Sequence, residues 1–315
     1  MPLITTTTKT IIYFENGLGN FILMTPAIQA LASMDSTGKV DICLSSDWND
    51  SRKPALIDIC NSWDIIEDII EFPKQNFKKK YDSWYYSLHT ERSDAFKIFQ
   101  VHNPKCGLSV HWGKTMMHEV EYYFEGVRRM GYKGPILSQY MPTSNKPTLA
   151  PSERPTVAIC NGSFGKLKSC KQWPHFDKLV HTLKAVYNTR IIKIGYGHEL
   201  EKVCGDIDYV GKLSITETAA VLKQVDLFIT VDTGNMHIAD ALGVPTLAIF
   251  GGSLLSKNGP LSSACRIIKS GLPCQPCQCT SGLFDKCENP KCLSELYAGD
   301  VMSYINKFAR ENGWR

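Results

Sequence analysis

The chain has 315 residues with 43% hydrophobic and 21% charged side chains, a balance that lets each of about two domains bury a core of its own. Its formal net charge of +4, from 35 basic and 31 acidic residues, argues against a nucleic-acid-binding protein and suits an enzyme whose substrates carry phosphate. No apolar run reaches the length of about 18 residues that a membrane span needs, and the Thr-rich segment 1–10 is not a secretory signal. We therefore expect a cytoplasmic protein whose cysteines are reduced.

The N-terminal half alternates strands with helices. The β-rich run Thr10–Phe14 leads into a glycine-containing turn at 16–20, and a helix follows because Met24, Ile28 and Leu31 share one helical face. Further strands are predicted at 40–44, 65–72 and 81–88. Strands that alternate with helices predict a parallel sheet covered on both faces.

Four prolines among small polar residues at 141–155 mark the predicted domain boundary, because such a segment forms neither a helix nor a central strand. We place one domain at 1–150 and a second at 151–297, followed by a terminal segment at 298–315 that contains a helix over 300–310. The second domain repeats the alternation, with strands at 156–160, 190–195, 226–231 and 246–250 and a helix at 173–187. Ser214 and Glu217 have the spacing of a helix capping box.

The most informative segment is 231–245, where an apolar strand ends in Asp232-Thr233-Gly234 and a helix begins at once. Free backbone N–H groups at a helix start form a phosphate site, and Gly234 lets an oxyanion approach the main chain closely. Thr233 adds a hydroxyl donor, and His237 falls in the first helical turn. An ordinary strand-to-helix turn, capped by Asp232 or Thr233, is the alternative.

A basic loop at 161–174 follows the first strand of the second domain and contains two glycines, Ser163 and three lysines. Its end, Trp173-Pro174, predicts a helix start with Pro174 in the first helical position. Lys171 is placed to reach a diphosphate as a point charge. A solvated basic loop is the alternative interpretation.

Five of the twelve cysteines lie between residues 274 and 292. Cys274, Cys277, Cys287 and Cys292 comprise one CxxC and two later thiols, and four thiolates bind zinc or iron tetrahedrally. The segment also contains Cys279 and has little apolar content, so a structural metal would stabilise it. Because a second CxxC is missing, free or paired thiols and a redox role remain alternatives.

Taken together, these segments resemble glycosyltransferase family 9, the ADP-heptose:lipopolysaccharide heptosyltransferases. The matching stretches occur in the same order over nearly the whole chain: Gly17–Asn20 with Thr25–Ile28, Lys171–Pro174, Asp232–Gly234 with His237, Ala241–Pro245, Phe250-Gly251 and the cysteine-rich segment. The resemblance implies an α/β fold of the GT-B type, with two Rossmann-like domains facing a central cleft. It also implies inverting, metal-independent transfer of a heptose or hexose from a nucleotide-diphosphate sugar to a glycan or glycolipid such as lipopolysaccharide core. The family resemblance favours ADP as the nucleotide of this donor.

The resemblance also implies roles for individual residues. The donor-binding set is Ser163, Lys171, Glu199, Asp232, Thr233, Gly234 and His237. Within it, the backbone at Thr233 and Gly234 and the Lys171 ammonium hold the diphosphate, while Glu199 contacts the ribose. The last helix is expected to pack back against the N-terminal domain, no cofactor is needed for transfer, and peripheral contact with the inner membrane face is left open.

The chain departs from the family pattern at Asn20, where the family usually has an aspartate that is its proposed base. An amide does not accept a proton at neutral pH. Either another acid serves, with Glu15 nearest and Asp94 or His89 further along, or Asn20 only positions an acceptor deprotonated elsewhere. In the third alternative the protein binds a nucleotide sugar with weak or no transfer.

The predicted catalytic set is therefore Asn20, Glu15 and Lys171. A protein side chain as acceptor, and a nucleotide-sugar epimerase or hydrolase of the same fold, are further alternatives.

Overall fold

The computed structural model describes residues 9–45, 52–72, 81–86, 117–162, 168–278, 284 and 286–315, and the structural statements below refer to these residues. The chain divides into two compact units, Met1–Pro142 and Thr143–Arg315, and the division falls within the proline-rich segment 141–155. Within the described ranges, no helix is long and apolar enough to cross a membrane.

The first unit contains a four-stranded sheet in the order β3-β2-β1-β4, with every neighbouring pair parallel. Its strands are β1 (Thr10–Phe14), β2 (Val40–Ser45), β3 (Ile66–Phe72) and β4 (Ser83–Tyr86), and its helices are α1 (Leu18–Met34), α2 (Arg52–Asn61) and α3 (Glu119–Arg129). All five residues of β1 are buried, as expected for a central strand covered on both faces. The sequence-based expectation of a parallel sheet is thus confirmed for this unit.

Helix α1 runs through Pro26 without ending there. Proline lacks the N–H that would bond the carbonyl of Ile22, four residues earlier. The Thr25 hydroxyl donates to that carbonyl at 2.7 Å and accepts the backbone N–H of Tyr140 at 2.8 Å. Thr25 therefore replaces the missing helical bond and ties α1 to the end of the unit.

The second unit contains a six-stranded parallel sheet in the order β10-β9-β8-β5-β6-β7. Its strands are β5 (Thr156–Cys160), β6 (Arg190–Lys193), β7 (Ile207–Asp208), β8 (Leu227–Val231), β9 (Thr246–Ile249) and β10 (Cys265–Ile268). Numbered within the unit, this order is 3-2-1-4-5-6 read from β7, which is the Rossmann arrangement. The order reverses between β5 and β8, where such sheets bind their ligands.

Helices flank this second sheet: α4 (Lys168–Lys171), α5 (Phe176–Tyr187), α6 (Ile215–Leu222), α7 (Gly234–Ala241), α8 (Leu255–Asn258), α9 (Lys291–Ser294) and α10 (Ala298–Glu311). The predicted capping box of α6 is confirmed, because the Ser214 hydroxyl accepts the Glu217 N–H at 3.3 Å and the Glu217 carboxylate accepts the Ser214 N–H at 2.8 Å.

One predicted helix start is wrong. Pro174 does not occupy the first turn of α5, because this helix begins at Phe176 with His175 as its N-cap. A residue before proline avoids helical geometry, and the Trp173 backbone is held instead by two hydrogen bonds from Asn161.

The terminal helix α10 packs into the core of the second unit. Val301 and Ile305 are fully buried in one cluster with Trp173 and Leu179, and the Tyr187 hydroxyl donates to Asn306 at 2.8 Å. The expected contact of this helix with the N-terminal unit stays a prediction.

Candidate active site

The carboxyl edge of the second sheet collects the segments that the sequence analysis singled out. Strand β5 is followed by Asn161-Gly162, β6 by the loop 194–199, and β8 by Asp232–Gly234. β5 and β8 are neighbours at the point where the strand order reverses. The three loops therefore meet at the position where a doubly wound sheet binds a nucleotide.

Lys171 and Asp232 form an ion pair at this edge. The Lys171 Nζ lies 2.7 Å from Oδ2 of Asp232, and the Ser253 hydroxyl donates to the same oxygen. Burial by itself would raise the pKa of Asp232, but the charge and hydrogen bond of Lys171, the Ser253 hydrogen bond and His237 outweigh it and lower this pKa. Asp232 is therefore an ionised, buried carboxylate, a partner for Lys171 that the sequence did not predict.

Two hydrogen bonds fix the main chain two residues after Lys171. The Asn161 amide accepts the Trp173 N–H at 2.8 Å and donates to the Trp173 carbonyl at 3.0 Å. The Trp173 side chain is fully buried, and its Nε1 donates to the Leu296 carbonyl at 2.7 Å. Lys171 thus extends from a rigid segment, which reduces the entropy cost of presenting its charge to a ligand.

Helix α7 begins beside this ion pair. Thr233 is its N-cap, with extended backbone and no capping hydrogen bond from its side chain. The Thr233 hydroxyl oxygen is buried and has no hydrogen-bond partner in the described part of the chain. An unsatisfied buried hydroxyl costs about 1–3 kcal/mol, and the first N–H groups of any helix lack helical partners, so this arrangement suits an anionic ligand.

The remaining donor-site candidates surround this point. His237 lies in the first turn of α7, is 4% exposed and helps to lower the Asp232 pKa. Glu199 follows β6, the second strand of the unit, and an ideal Cβ on Gly162 would lie 3.9 Å from its Oε2. In Rossmann folds the acid after the second strand contacts the ribose, so this placement suits the role that the resemblance implies.

Gly197 allows Glu199 to take this position. Its φ of +112° lies in the region that favours glycine, and a Cβ there would collide with the Glu199 carboxylate. Ser163 of the basic loop lies outside the described residues, as do the alternative bases His89 and Asp94 and the extra thiol Cys279.

The N-terminal unit places both of its predicted catalytic residues at the carboxyl end of β1. Glu15 accepts the Tyr13 hydroxyl at 2.7 Å, and the Asn20 amide in the first turn of α1 donates to the carboxylate of Glu119. Glu119 begins α3 and is only 1% exposed. The sequence pattern did not indicate Glu119, because an acid in the first turn of an amphipathic helix is typical of a solvated position that favours the helix dipole.

The pKa values of Cys170 and Cys292 are both influenced by cysteines of the predicted metal-binding set. Burial, followed by the charges of Cys274, Cys277 and Cys287, raises the pKa of Cys292 to about 11. Burial also raises the pKa of Cys170, with Cys277 and Cys287 adding to the effect of burial. As far as the described residues go, no three Cys, His, Asp or Glu side chains are arranged as ligands of one ion. The metal therefore stays a prediction.

Two Rossmann-type parallel sheets in one chain, the second with a helix that begins at its point of strand reversal, define a protein of the GT-B class. The family model of glycosyltransferase family 9 (heptosyltransferase) matches residues 95–287, more than half of the chain. The chain therefore belongs to glycosyltransferase family 9, and the resemblance inferred from its motifs is confirmed.

Individual relatives agree with this assignment. Lipooligosaccharide heptosyltransferase 2 of Haemophilus influenzae is 29% identical over 140 residues, which cover 39% of this chain and 39% of that protein. The chain thus spans well under half the length of the curated relative that it matches.

Solved structures match over much more of the chain. The E. coli ADP-heptose lps heptosyltransferase II has a TM-score of 0.72 at 16% identity, with 97% of this chain and 100% of that chain covered. The dodecameric iron-containing heptosyltransferase TibC of enterotoxigenic E. coli, in complex with ADP-D-beta-D-heptose, has a TM-score of 0.65 at 18% identity over 97% and 77% of the two chains. These likenesses confirm the GT-B fold.

Proposed function

We propose that this protein is an inverting glycosyltransferase that transfers a heptose or hexose from an ADP-linked sugar to a glycan or glycolipid, such as lipopolysaccharide core. Family membership supports the reaction class, and the structural relatives named for ADP-heptose support the donor. A glycolipid acceptor would bring the enzyme to the face of a membrane.

The observation that carries the proposal is the buried Thr233 hydroxyl, which has no hydrogen-bond partner among the described residues. Thr233 directly follows Asp232, the ion-pair partner of Lys171, in the turn between β8 and α7. The leaving group of the reaction is a nucleoside diphosphate, and its negative charge grows as the bond to the sugar breaks. Helix N–H groups, a hydroxyl and an ammonium fixed in advance stabilise such charge without reorganising during the reaction.

Asp232 keeps Lys171 in place for this task. A buried carboxylate alone would repel a diphosphate, but the 2.7 Å ion pair with Lys171 cancels its charge. A phosphate oxygen that approaches α7 can share the Lys171 ammonium, which has three N–H donors, with Asp232 and needs no movement of the main chain. In this proposal Glu199 binds the ribose and thereby orients the donor.

We also propose that the cysteine-rich loop binds a structural zinc or iron ion. The other three thiols raise the pKa of Cys292 beyond the effect of burial, which supports their proximity, and the structural relative TibC is described as iron-containing. Cys274, Cys277, Cys287 and Cys292 would hold the ion, which adds cross-links to a loop with little core. Elemental analysis of the purified protein tests this, and fewer than about 0.1 metal ions per chain under anaerobic purification would contradict it.

The function itself is tested in two steps. Thermal-shift measurements with ADP, GDP, UDP and CDP should show the largest stabilisation with ADP, because a ligand that binds only the native state raises its stability. The matching nucleotide sugar is then incubated with candidate acceptors, and released diphosphate is measured. Binding without release for every acceptor would instead favour a nucleotide-sugar-binding protein.

A further inference from the structure

The first unit raises the question of which group takes the acceptor's proton in a chain that has an amide at residue 20. Resting on the proposed transfer reaction, we propose that Glu119 is this base and that Asn20 holds its carboxylate at the catalytic edge of the sheet. The contact between the two side chains joins the first turns of α1 and α3.

The chemistry of the pair fixes its orientation. An ionised carboxylate only accepts hydrogen bonds, so the Nδ2 group of Asn20 must face Glu119. The Oδ1 of Asn20 then points the other way, 3.6 Å from the position of an ideal Cβ on Gly17, in the loop after β1. The Asn20 amide therefore holds the Glu119 carboxylate next to residue 20, the position at which the family usually has an aspartate.

The neighbouring titratable groups do not compete for the role. Burial raises the pKa of the Tyr123 hydroxyl well above its ordinary range, and the charge of Glu119 raises it further against an opposing hydrogen bond with Asn20. Tyr123 is thus a neutral phenol near pH 7. The His118 Nδ1 accepts the Val120 N–H at 3.3 Å as the N-cap of α3, so this nitrogen is engaged with the main chain.

Among the described residues, Glu15 is a further carboxylate at this edge, and it differs from the buried Glu119 in being half-buried and in its hydrogen-bond partner. Its Oε2 accepts the Tyr13 hydroxyl at 2.7 Å, whereas the carboxylate of Glu119 is the one bonded to Asn20. Glu119 therefore takes the place of the aspartate that the family usually has at residue 20, although Glu119 lies in α3 and residue 20 lies in α1.

The acceptor O–H bond breaks as its proton passes to the Glu119 carboxylate, and the oxygen forms a bond to the anomeric carbon. The bond between that carbon and the phosphate oxygen breaks, and its electron pair leaves with the nucleoside diphosphate. The Glu119 carboxylic acid afterwards releases its proton to water.

The decisive experiment exchanges the acid and the amide. Glu119→Gln should lower kcat by about 10²–10⁴-fold, the usual contribution of a general base, and should remove the acid limb of the pH–rate profile. Its ADP-induced thermal shift should stay unchanged. The matched control is Glu121→Gln, an exposed position two residues further along α3, which should keep the parent kcat.

The double variant Asn20→Asp, Glu119→Gln restores a carboxylate and an amide donor with their positions exchanged. It should recover at least about tenfold of the lost kcat, which a merely structural role for Glu119 does not predict. The inference is overturned if Glu119→Gln keeps the parent kcat and pH profile, if the folded double variant is no better than that single variant, or if Glu15→Gln instead abolishes transfer. Should Glu119→Gln fail to fold, Glu119→Asp and the double variant decide by the same two readouts.

These results separate two failures. If the parent protein binds ADP but releases no diphosphate with any acceptor, the proposed function fails and this inference fails with it. If the parent protein transfers sugar and Glu119→Gln does so equally well, only the inference fails.

Discussion

Replacing Lys171 by methionine should lower both the stability of the protein and its affinity for ADP, and the two effects can be measured separately. The change leaves Asp232, which is 5% exposed, without its cation. Breaking a buried ion pair by removing one partner costs about 3–5 kcal/mol, which corresponds to a fall of roughly 6–20 °C in the melting temperature of a unit of this size. The variant also loses a charge-assisted contact to the diphosphate, worth about 1.5–3 kcal/mol, or roughly 10–150-fold in the Kd for ADP.

The pH dependence of this variant has a definite sign. In the parent protein the lowered pKa of Asp232 contributes stability that is present above the ordinary value of 3.8 and is lost as pH falls through the folded-state value. Without Lys171, burial is left as the main influence and should raise that pKa above 3.8. Lys171→Met should therefore lose stability, relative to the parent, as pH rises from about 4 towards 7.

A second variant separates folding from binding. Lys171→Met combined with Asp232→Asn removes both charges and keeps a polar partner for Ser253, so most of the melting temperature should return while the ADP affinity stays low. Calorimetric melting from pH 4 to 8 and ADP titration measure the two effects, with the exposed Lys178→Met as control. Recovery of parent ADP affinity in the double variant would refute the role of Lys171 in holding the diphosphate.

Three further outcomes are expected. Thr233→Val, which removes only the unpartnered hydroxyl, should weaken ADP binding by about 5–30-fold in calorimetric titration, whereas Thr182→Val in α5 should not; equal affinities would show that no phosphate uses this hydroxyl. Asn20→Asp alone places a second carboxylate against Glu119, so the pair should share a proton near neutral pH and the pH optimum for transfer should rise by about one unit. An unchanged pH optimum would contradict the contact between residues 20 and 119. Glu199→Gln should weaken ADP binding while leaving pyrophosphate binding unchanged in a competition assay, and a matching loss for both ligands would place Glu199 elsewhere.

Much of the structure could be predicted from local sequence rules and from motifs that occur in the same order as in the family. The capping box at Ser214 follows from side-chain geometry alone, and the strand-to-helix turn at Thr233 follows from an apolar run that ends in Asp-Thr-Gly. What the sequence did not predict depends on contacts between distant residues. Nothing near Lys171 indicates that its partner is Asp232, and nothing in the first turn of α3 shows that Glu119 is buried.

Pro174 is a case in which a local sequence rule gave the wrong prediction. Its local preference for a first helical turn is real, but the Asn161 side chain holds the preceding residue in a non-helical conformation, and a tertiary contact outweighs the local preference. The alternating pattern of the chain was enough to predict parallel sheets, because both faces of each sheet must be covered whatever the loops contain.

The cysteine-rich loop is hydrogen-bonded to the segment that carries Ser253, so a metal bound there would have a role beyond stabilising the loop itself. Cys170 immediately precedes Lys171, and its pKa is influenced by Cys277 and Cys287. The backbone N–H of Cys277 donates to the Gly252 carbonyl at 3.0 Å, next to the Ser253 that bonds Asp232. Because Cys277 holds the residue next to Ser253, an ion bound to this loop would help to fix the hydroxyl that bonds Asp232 near the start of α7.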